Sequence, residues 1–207
     1  MRRPLNRDAC DSLTIDFTKA KLVYRLNRLH GSNELIAKAI GYKPGKVLSV
    51  FDTTAGLGVE SFLLAALGCN VTLFERHPAV AKALDEALKE GTLHEPIAPI
   101  IARMQLHSTC AIAYMEQHPE CRPDVIYCDP MFAPRKKSAA VKKSIRVLQE
   151  WVGEDEDATQ LVALALQRAQ KRVVVKRAKT DPLLHPAPTF SLEGRAHCYD
   201  VYALSRI

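Results

Sequence analysis

No apolar run in the chain approaches the ~18 residues that a membrane-spanning helix requires. The opening MRRPLNRDACD also lacks the apolar stretch of roughly 7–15 residues that marks a secretory signal. A cytoplasmic protein with no membrane partner is therefore expected. Its six cysteines, at 10, 69, 110, 121, 128 and 198, include no CxxC pair, which argues against both a zinc site and a disulfide framework. They read as reduced thiols, and no metal is expected. No GxxxxGK[ST] phosphate loop, internal repeat or low-complexity linker is present. What remains is 207 residues, 47% of them hydrophobic, enough for about one domain with a substantial core. The net charge of +6 and a pI near 9.0 favour an acidic partner such as nucleic acid.

From Val47 onward, short β-branched runs alternate with helix-periodic segments, the pattern of βα units and a parallel sheet. Strands are predicted at Val47–Asp52, Asn70–Phe74, Gln105–His107, Asp124–Cys128 and Arg172–Lys176. Helices are predicted at 59–67, 78–90, 109–118, 141–151 and 158–170, with Pro78 in a first turn and Gly91 just past a last one. Thr189–Leu192 and His197–Ser205 flank Gly194 and read as an antiparallel hairpin. The predicted fold class is thus α/β, a mostly parallel Rossmann-like sheet closed by a C-terminal hairpin. Residues 1–46 read as a separate basic extension ending in one helix, capped by Ser32 and stopped by Gly41, ahead of a catalytic domain over 47–207.

Three motifs fall where strands are predicted to end. Asp52-Thr53-Thr54-Ala55-Gly56-Leu57-Gly58-Val59-Glu60 runs from strand into helix, and its two glycines admit a close ligand beside free helix N–H groups. Ser61 stands where a dinucleotide GxGxxG has its third glycine. Glu75 lies 23 residues after Asp52, near the offset at which an acid meets a ribose diol, with Arg76 beside it to flank a base. Asp129-Pro130-Met131-Phe132 follows the fourth strand. An Asp129 oxygen and the Pro130 carbonyl could accept from an exocyclic NH2 while Phe132 stacks on its ring.

These residues resemble the class I S-adenosylmethionine-dependent methyltransferases that modify exocyclic amines of nucleic acid bases. The set DTTAGLG, LFER, LHST, YCDPMF, KKSAAVKK and RVVVKR is similar to the bacterial ribosomal RNA guanine-N2 methyltransferase J (RsmJ) family. The resemblance implies a class I methyltransferase sheet and transfer of a methyl group from S-adenosylmethionine, leaving S-adenosylhomocysteine. Its target would be a guanine N2 amine in small-subunit (16S) rRNA, free or in the assembled subunit. Carried over residue by residue, cofactor contacts would fall at Asp52, Gly56, Gly58, Val59, Glu60, Glu75, Arg76, Ser108, Thr109, Cys110 and Asp129. Asp129, Pro130 and Phe132 would be catalytic. Ser108 or Thr109 would bond the adenine edge and Cys110 would pack on its ring. The chain departs from the family at Val59-Glu60, where Arg-Asp is usual, at Leu29-His30-Gly31-Ser32, and in the family's additional N-terminal segment.

Positive charge is clustered. Residues 131–149 carry six Lys/Arg and no acid, as do residues 168–179. Arg25, Lys136, Lys137, Lys142, Lys143 and Lys176 are candidate phosphate contacts at the same sheet edge as the cofactor. Two other readings are an NAD(P)-dependent dehydrogenase and a non-catalytic RNA-binding protein on the same fold. The first shares Gly56, Gly58 and Glu75 but gives no reason for DPMF. The second should have lost Asp129, Glu75 or a motif glycine, and all are present.

Overall fold

A parallel strand buried on both faces needs apolar side chains at successive positions. Val125-Ile126-Tyr127-Cys128 supplies four, all fully buried. In the computed structural model, which describes residues 13–19, 22, 34–130 and 157–207, this segment is a central strand of a seven-stranded sheet. The strands are β1 (Ser49–Asp52), β2 (Asn70–Phe74), β3 (Met104–His107), β4 (Val125–Cys128), β5 (Arg172–Ala178), β6 (Phe190–Glu193) and β7 (His197–Ala203). Their order is β3-β2-β1-β4-β5-β7-β6. The first five strands pair in parallel, and β7 runs antiparallel to both β5 and β6. The sheet grows outward from β1 in one direction and then crosses to β4 on the other side. The switch point therefore lies between β1 and β4, where open α/β sheets bind ligands.

Helices cover both faces. On one lie α1 (Leu35–Ile40), α2 (Val59–Ala66), α3 (Pro78–Gly91) and α4 (Ala98–Ile101). On the other lie α5 (Ala111–Gln117) and α6 (Ala158–Arg168). Strand parity divides the core. Val50, Val71, Leu73, Val125, Tyr127 and Val174 point into the first layer, while Phe51, Phe74, Ile126, Cys128, Val173 and Val175 point into the second. Within α2, Phe62, Leu63 and Leu64 are fully buried, each contributing about 1.5–3 kcal/mol of apolar burial. Phe17 stacks on Phe62 at 4.9 Å between centroids, so part of the N-terminal segment belongs to this core. So does α1, which buries Ile36, Ala37, Ala39 and Ile40 and ends at Gly41 in the left-handed region.

The predicted elements recur with small shifts. β5 extends to Ala178, two residues past its expected end, because β7 pairs with it throughout. α4 was not expected, since its segment holds two prolines within six residues, yet one of them sits in the first turn, where its missing N–H costs nothing. No side-chain cap bonds to α1, whose N-cap is Glu34; the expected cap, Ser32, lies outside the described residues, as does the predicted helix at 141–151.

Gly58 caps the N-terminus of α2 at φ 70°, and a Cβ there would meet Leu84 Cδ1 at 2.7 Å and Phe17 Cζ at 3.2 Å. Gly58→Ala combines left-handed backbone strain with a core clash. It is expected to lower the unfolding free energy by about 1–3 kcal/mol in urea titrations. Unchanged stability would remove the packing role assigned to this glycine.

Candidate functional site

Four strand ends converge at the C-terminal edge of the sheet, and hydrogen bonds fix the turn after β1 between its two neighbours. On the β4 side, the Thr53 N–H and hydroxyl donate to the Tyr127 carbonyl at 3.0 and 2.9 Å, and the Asp129 N–H donates to Thr54 Oγ1 at 2.7 Å. On the β2 side, the Ala55 N–H donates to the Phe74 carbonyl at 3.0 Å, and the Gly56 N–H to Glu75 Oε2 at 2.9 Å. Gly56 has φ 52°, which aims its N–H at that carboxylate. The other Glu75 oxygen accepts the His77 N–H at 2.7 Å. Glu75, only 6% exposed, is therefore held in orientation by one N–H on each carboxylate oxygen.

These groups wall an open cleft at the C-terminal edge of the sheet. The structure brings Gly56, Glu75, Arg76, Thr109, Cys110 and Asp129 together on its wall. Thr53, Thr54, Phe74, Ile112, Asp157 and Leu161 also line it. Asp157 bonds Arg76 Nη1 at 2.8 Å across the cleft. Phe74 and Leu161 could have been found from their place at a strand end and in a first helical turn. Asp157 offered no comparable signal, since it belongs to an acidic run that reads as solvated charge.

Other candidate residues lie off the cleft wall. Ser108 is exposed just beyond β3, and Val59, the first residue of α2, packs on the core. Asp52 is 1% exposed and accepts a short hydrogen bond from the Ser61 hydroxyl and one from the Thr54 N–H at 3.2 Å. Burial pushes its carboxyl up to about 7, against the pull of those bonds and with a further push from Glu60 and Asp129. The serine that replaces a third glycine thus serves Asp52. Glu60 and Asp129 share one cation. Lys176 Nζ bonds Asp129 Oδ2 at 2.7 Å and Glu60 Oε1 at 3.1 Å, so its ammonium is directed at two carboxylates rather than outward for phosphate. Arg25, Phe132, Lys136, Lys137, Lys142 and Lys143 lie outside the described residues. Among the described residues, no group of three or more His, Cys, Asp or Glu side chains is placed to hold a metal ion, and no helix is long and apolar enough to cross a membrane.

A family model described as "Putative SAM-dependent methyltransferase" matches residues 3–204. Ribosomal RNA small subunit methyltransferase J of Marinobacter nauticus is 44% identical over 191 residues, covering 91% of this chain and 69% of that protein. Its counterpart from Dechloromonas aromatica is also 44% identical, over 92% of this chain and 78% of the relative. The crystal structure of a SAM-dependent methyltransferase from Neisseria gonorrhoeae superposes with a TM-score of 0.72 at 36% identity, covering 92% of this chain and 74% of that one.

Asp52 gives the site a pH signature. Its folded pKa lies above the unfolded value of 3.8, so the native state holds a proton that the unfolded chain releases as pH rises through that value. The stability it contributes is present at low pH and is lost as pH climbs towards about 7. Relative to Asp52→Asn, the wild type is expected to lose unfolding free energy between pH 4.5 and pH 7.5. A constant difference across that window in urea titrations would contradict the raised pKa.

Proposed function

Because the chain belongs to the ribosomal RNA small subunit methyltransferase J family, whose members are SAM-dependent methyltransferases, we propose that it methylates the exocyclic N2 amine of a guanine in small-subunit (16S) rRNA. The observation that carries this reading is the placement of two carboxylates, Glu75 and Asp129, on one cleft at either side of the glycine turn. One suits a ribose and the other an amine. Family membership favours this reading over an NAD(P)-dependent oxidoreductase or a non-catalytic RNA-binding protein.

The residues present fit S-adenosylmethionine. A buried carboxylate already oriented by two N–H groups suits the ribose hydroxyls, and Thr109 and Cys110 bound the end of the cleft where an adenine would lie. Bound there, the cofactor supplies a methyl group on a positively charged sulfur. The chain's task is then to align nucleophile with methyl group and exclude water. Asp129 and the Pro130 carbonyl accept hydrogen bonds from the guanine amine. These oppose the delocalisation of the nitrogen lone pair into the ring, so Asp129 need not remove a proton before transfer. Phe132 stacks on the base. Asp129 is itself held by its own N–H on Thr54 and by Lys176 on its carboxylate. Arg25, Lys136, Lys137, Lys142 and Lys143 supply phosphate contacts.

Asp129→Ala is expected to lower turnover on small ribosomal subunits about 10²-fold at saturating S-adenosylmethionine, with cofactor affinity followed by calorimetry in parallel. Near-normal turnover would refute the catalytic role. In cells lacking the protein, mass mapping of 16S rRNA is expected to show the loss of one N2-methylguanosine, and an unchanged nucleoside profile would exclude this target.

The basic segment is tested through salt. Neutralising two of Lys136, Lys137, Lys142 and Lys143 is expected to make the logarithmic salt slope of RNA binding shallower by about 0.7 per lost contact on single-stranded RNA. An unaltered slope would place the phosphates elsewhere.

A further inference from the structure

Lys176 is only 18% exposed, and the three residues before it, Val173, Val174 and Val175, are buried apolar side chains. Removing an ammonium from water is costly, and an ion pair in such a place stabilises a fold no better than well-packed hydrophobic residues. The apolar run of β5 nevertheless gives way to a lysine. The register explains whom it meets. Cys128 pairs directly with Val175, so Asp129 and Lys176 come next in line, on the same face as Tyr127 and α2. The ammonium spans Asp129 Oδ2 at 2.7 Å and Glu60 Oε1 at 3.1 Å, joining the loop after β4 to the first turn of α2.

Without that cation Asp129 would lose the charge that offsets Glu60, its anionic neighbour at this edge. Glu60 faces it from α2, while the other titratable groups beside it, Asp52 on β1 and Tyr127 and Cys128 on β4, are pushed by burial towards their neutral forms. Tyr199 on β7 faces Lys176, and the paired Arg76 and Asp157 stand on the same cleft. Burial pulls the lysine's proton affinity down, but the Asp129 and Glu60 carboxylates outweigh it and hold the ammonium charged, above the ordinary lysine range.

We propose that Lys176 is a positioning residue for methyl transfer: it holds the Asp129 carboxylate ionised and aimed at the target amine, and ties it through Glu60 to the helix that follows the glycine turn. The inference rests on the catalytic reading of Asp129. A protonated Asp129 would present a donor where the amine needs an acceptor, and an untethered one would spend less time aligned.

The test is the pH dependence of single-turnover methylation of small ribosomal subunits at saturating S-adenosylmethionine, with cofactor affinity by calorimetry and Tm for every variant. Lys176→Met is expected to move the acid limb of the rate profile upward by about one pH unit and to lower the rate at neutral pH roughly tenfold. Glu60→Gln removes the competing anion and is expected to move the same limb downward. Lys176→Arg should retain the wild-type limb. Opposite shifts cannot come from a merely structural lysine, and Glu60→Gln with Lys176→Arg carries the test if Lys176→Met does not fold. Acid limbs that coincide in all variants, with rate losses that follow Tm, would overturn the proposal. Asp129→Asn separates the two levels. If that variant is inactive while the limbs stay fixed, this inference alone fails; if it is near-normal, the catalytic reading of Asp129 fails and this inference with it.

Discussion

The turn after β1 is bonded to both neighbouring strands, and the cleft exists because of that double attachment. Thr53 and Thr54 bind it to β4, while Ala55 and Gly56 bind it to β2 and Glu75. A backbone segment with no regular partner would ordinarily expose N–H and C=O groups to water or leave them unsatisfied. Here they are met by the continuations of adjacent strands, so the turn is as fixed as the sheet. Its functional side chains inherit that rigidity, as alignment of reacting groups requires.

The two faces of the sheet edge differ in chemistry. Toward α2 the edge is ionic, with Asp52 closed off by Ser61 and with Glu60, Asp129 and Lys176 in one cluster. Toward α5 and α6 it is aromatic and aliphatic, with Phe74 packed edge-on to Phe51 and Ile112 and Leu161 beside them. The cleft opens along this boundary. An amphipathic ligand with a flat apolar ring at one end and charged groups at the other matches it, because each end meets groups that need not be desolvated without compensation.

Much of this was legible in the sequence, and the parts that were not share a cause. Strands β1 to β5 followed from β-branched runs, and Glu75 from its distance to Asp52, because both signals are local. The bond from Ser61 to Asp52 was not legible: nine residues separate them, and only the turn of α2 brings that hydroxyl back over the strand. The pairing of Lys176 with Asp129 and Glu60 was not legible for the same reason. The 168–179 stretch around Lys176 is basic, but the lysine's neighbours in space are set by the β4–β5 register, which no local pattern specifies. Arg76 likewise meets Asp157, 81 residues away, rather than standing open. Sequence spacing located the groups at strand ends; it could not say which of them would pair.

The side chains of this edge come from positions 52, 75, 129 and 176, carried on strands joined only by long crossovers. Parallel pairs of this kind are non-local contacts that form late and together, since each requires a large loop to close first. Without β5 the glycine turn and Glu75 would stand in place, but Glu60 and Asp129 would lack Lys176 between them. A ligand that spans all four strand ends recognises the completed sheet, so its binding free energy is added to the native state alone, and occupancy becomes a report on folding.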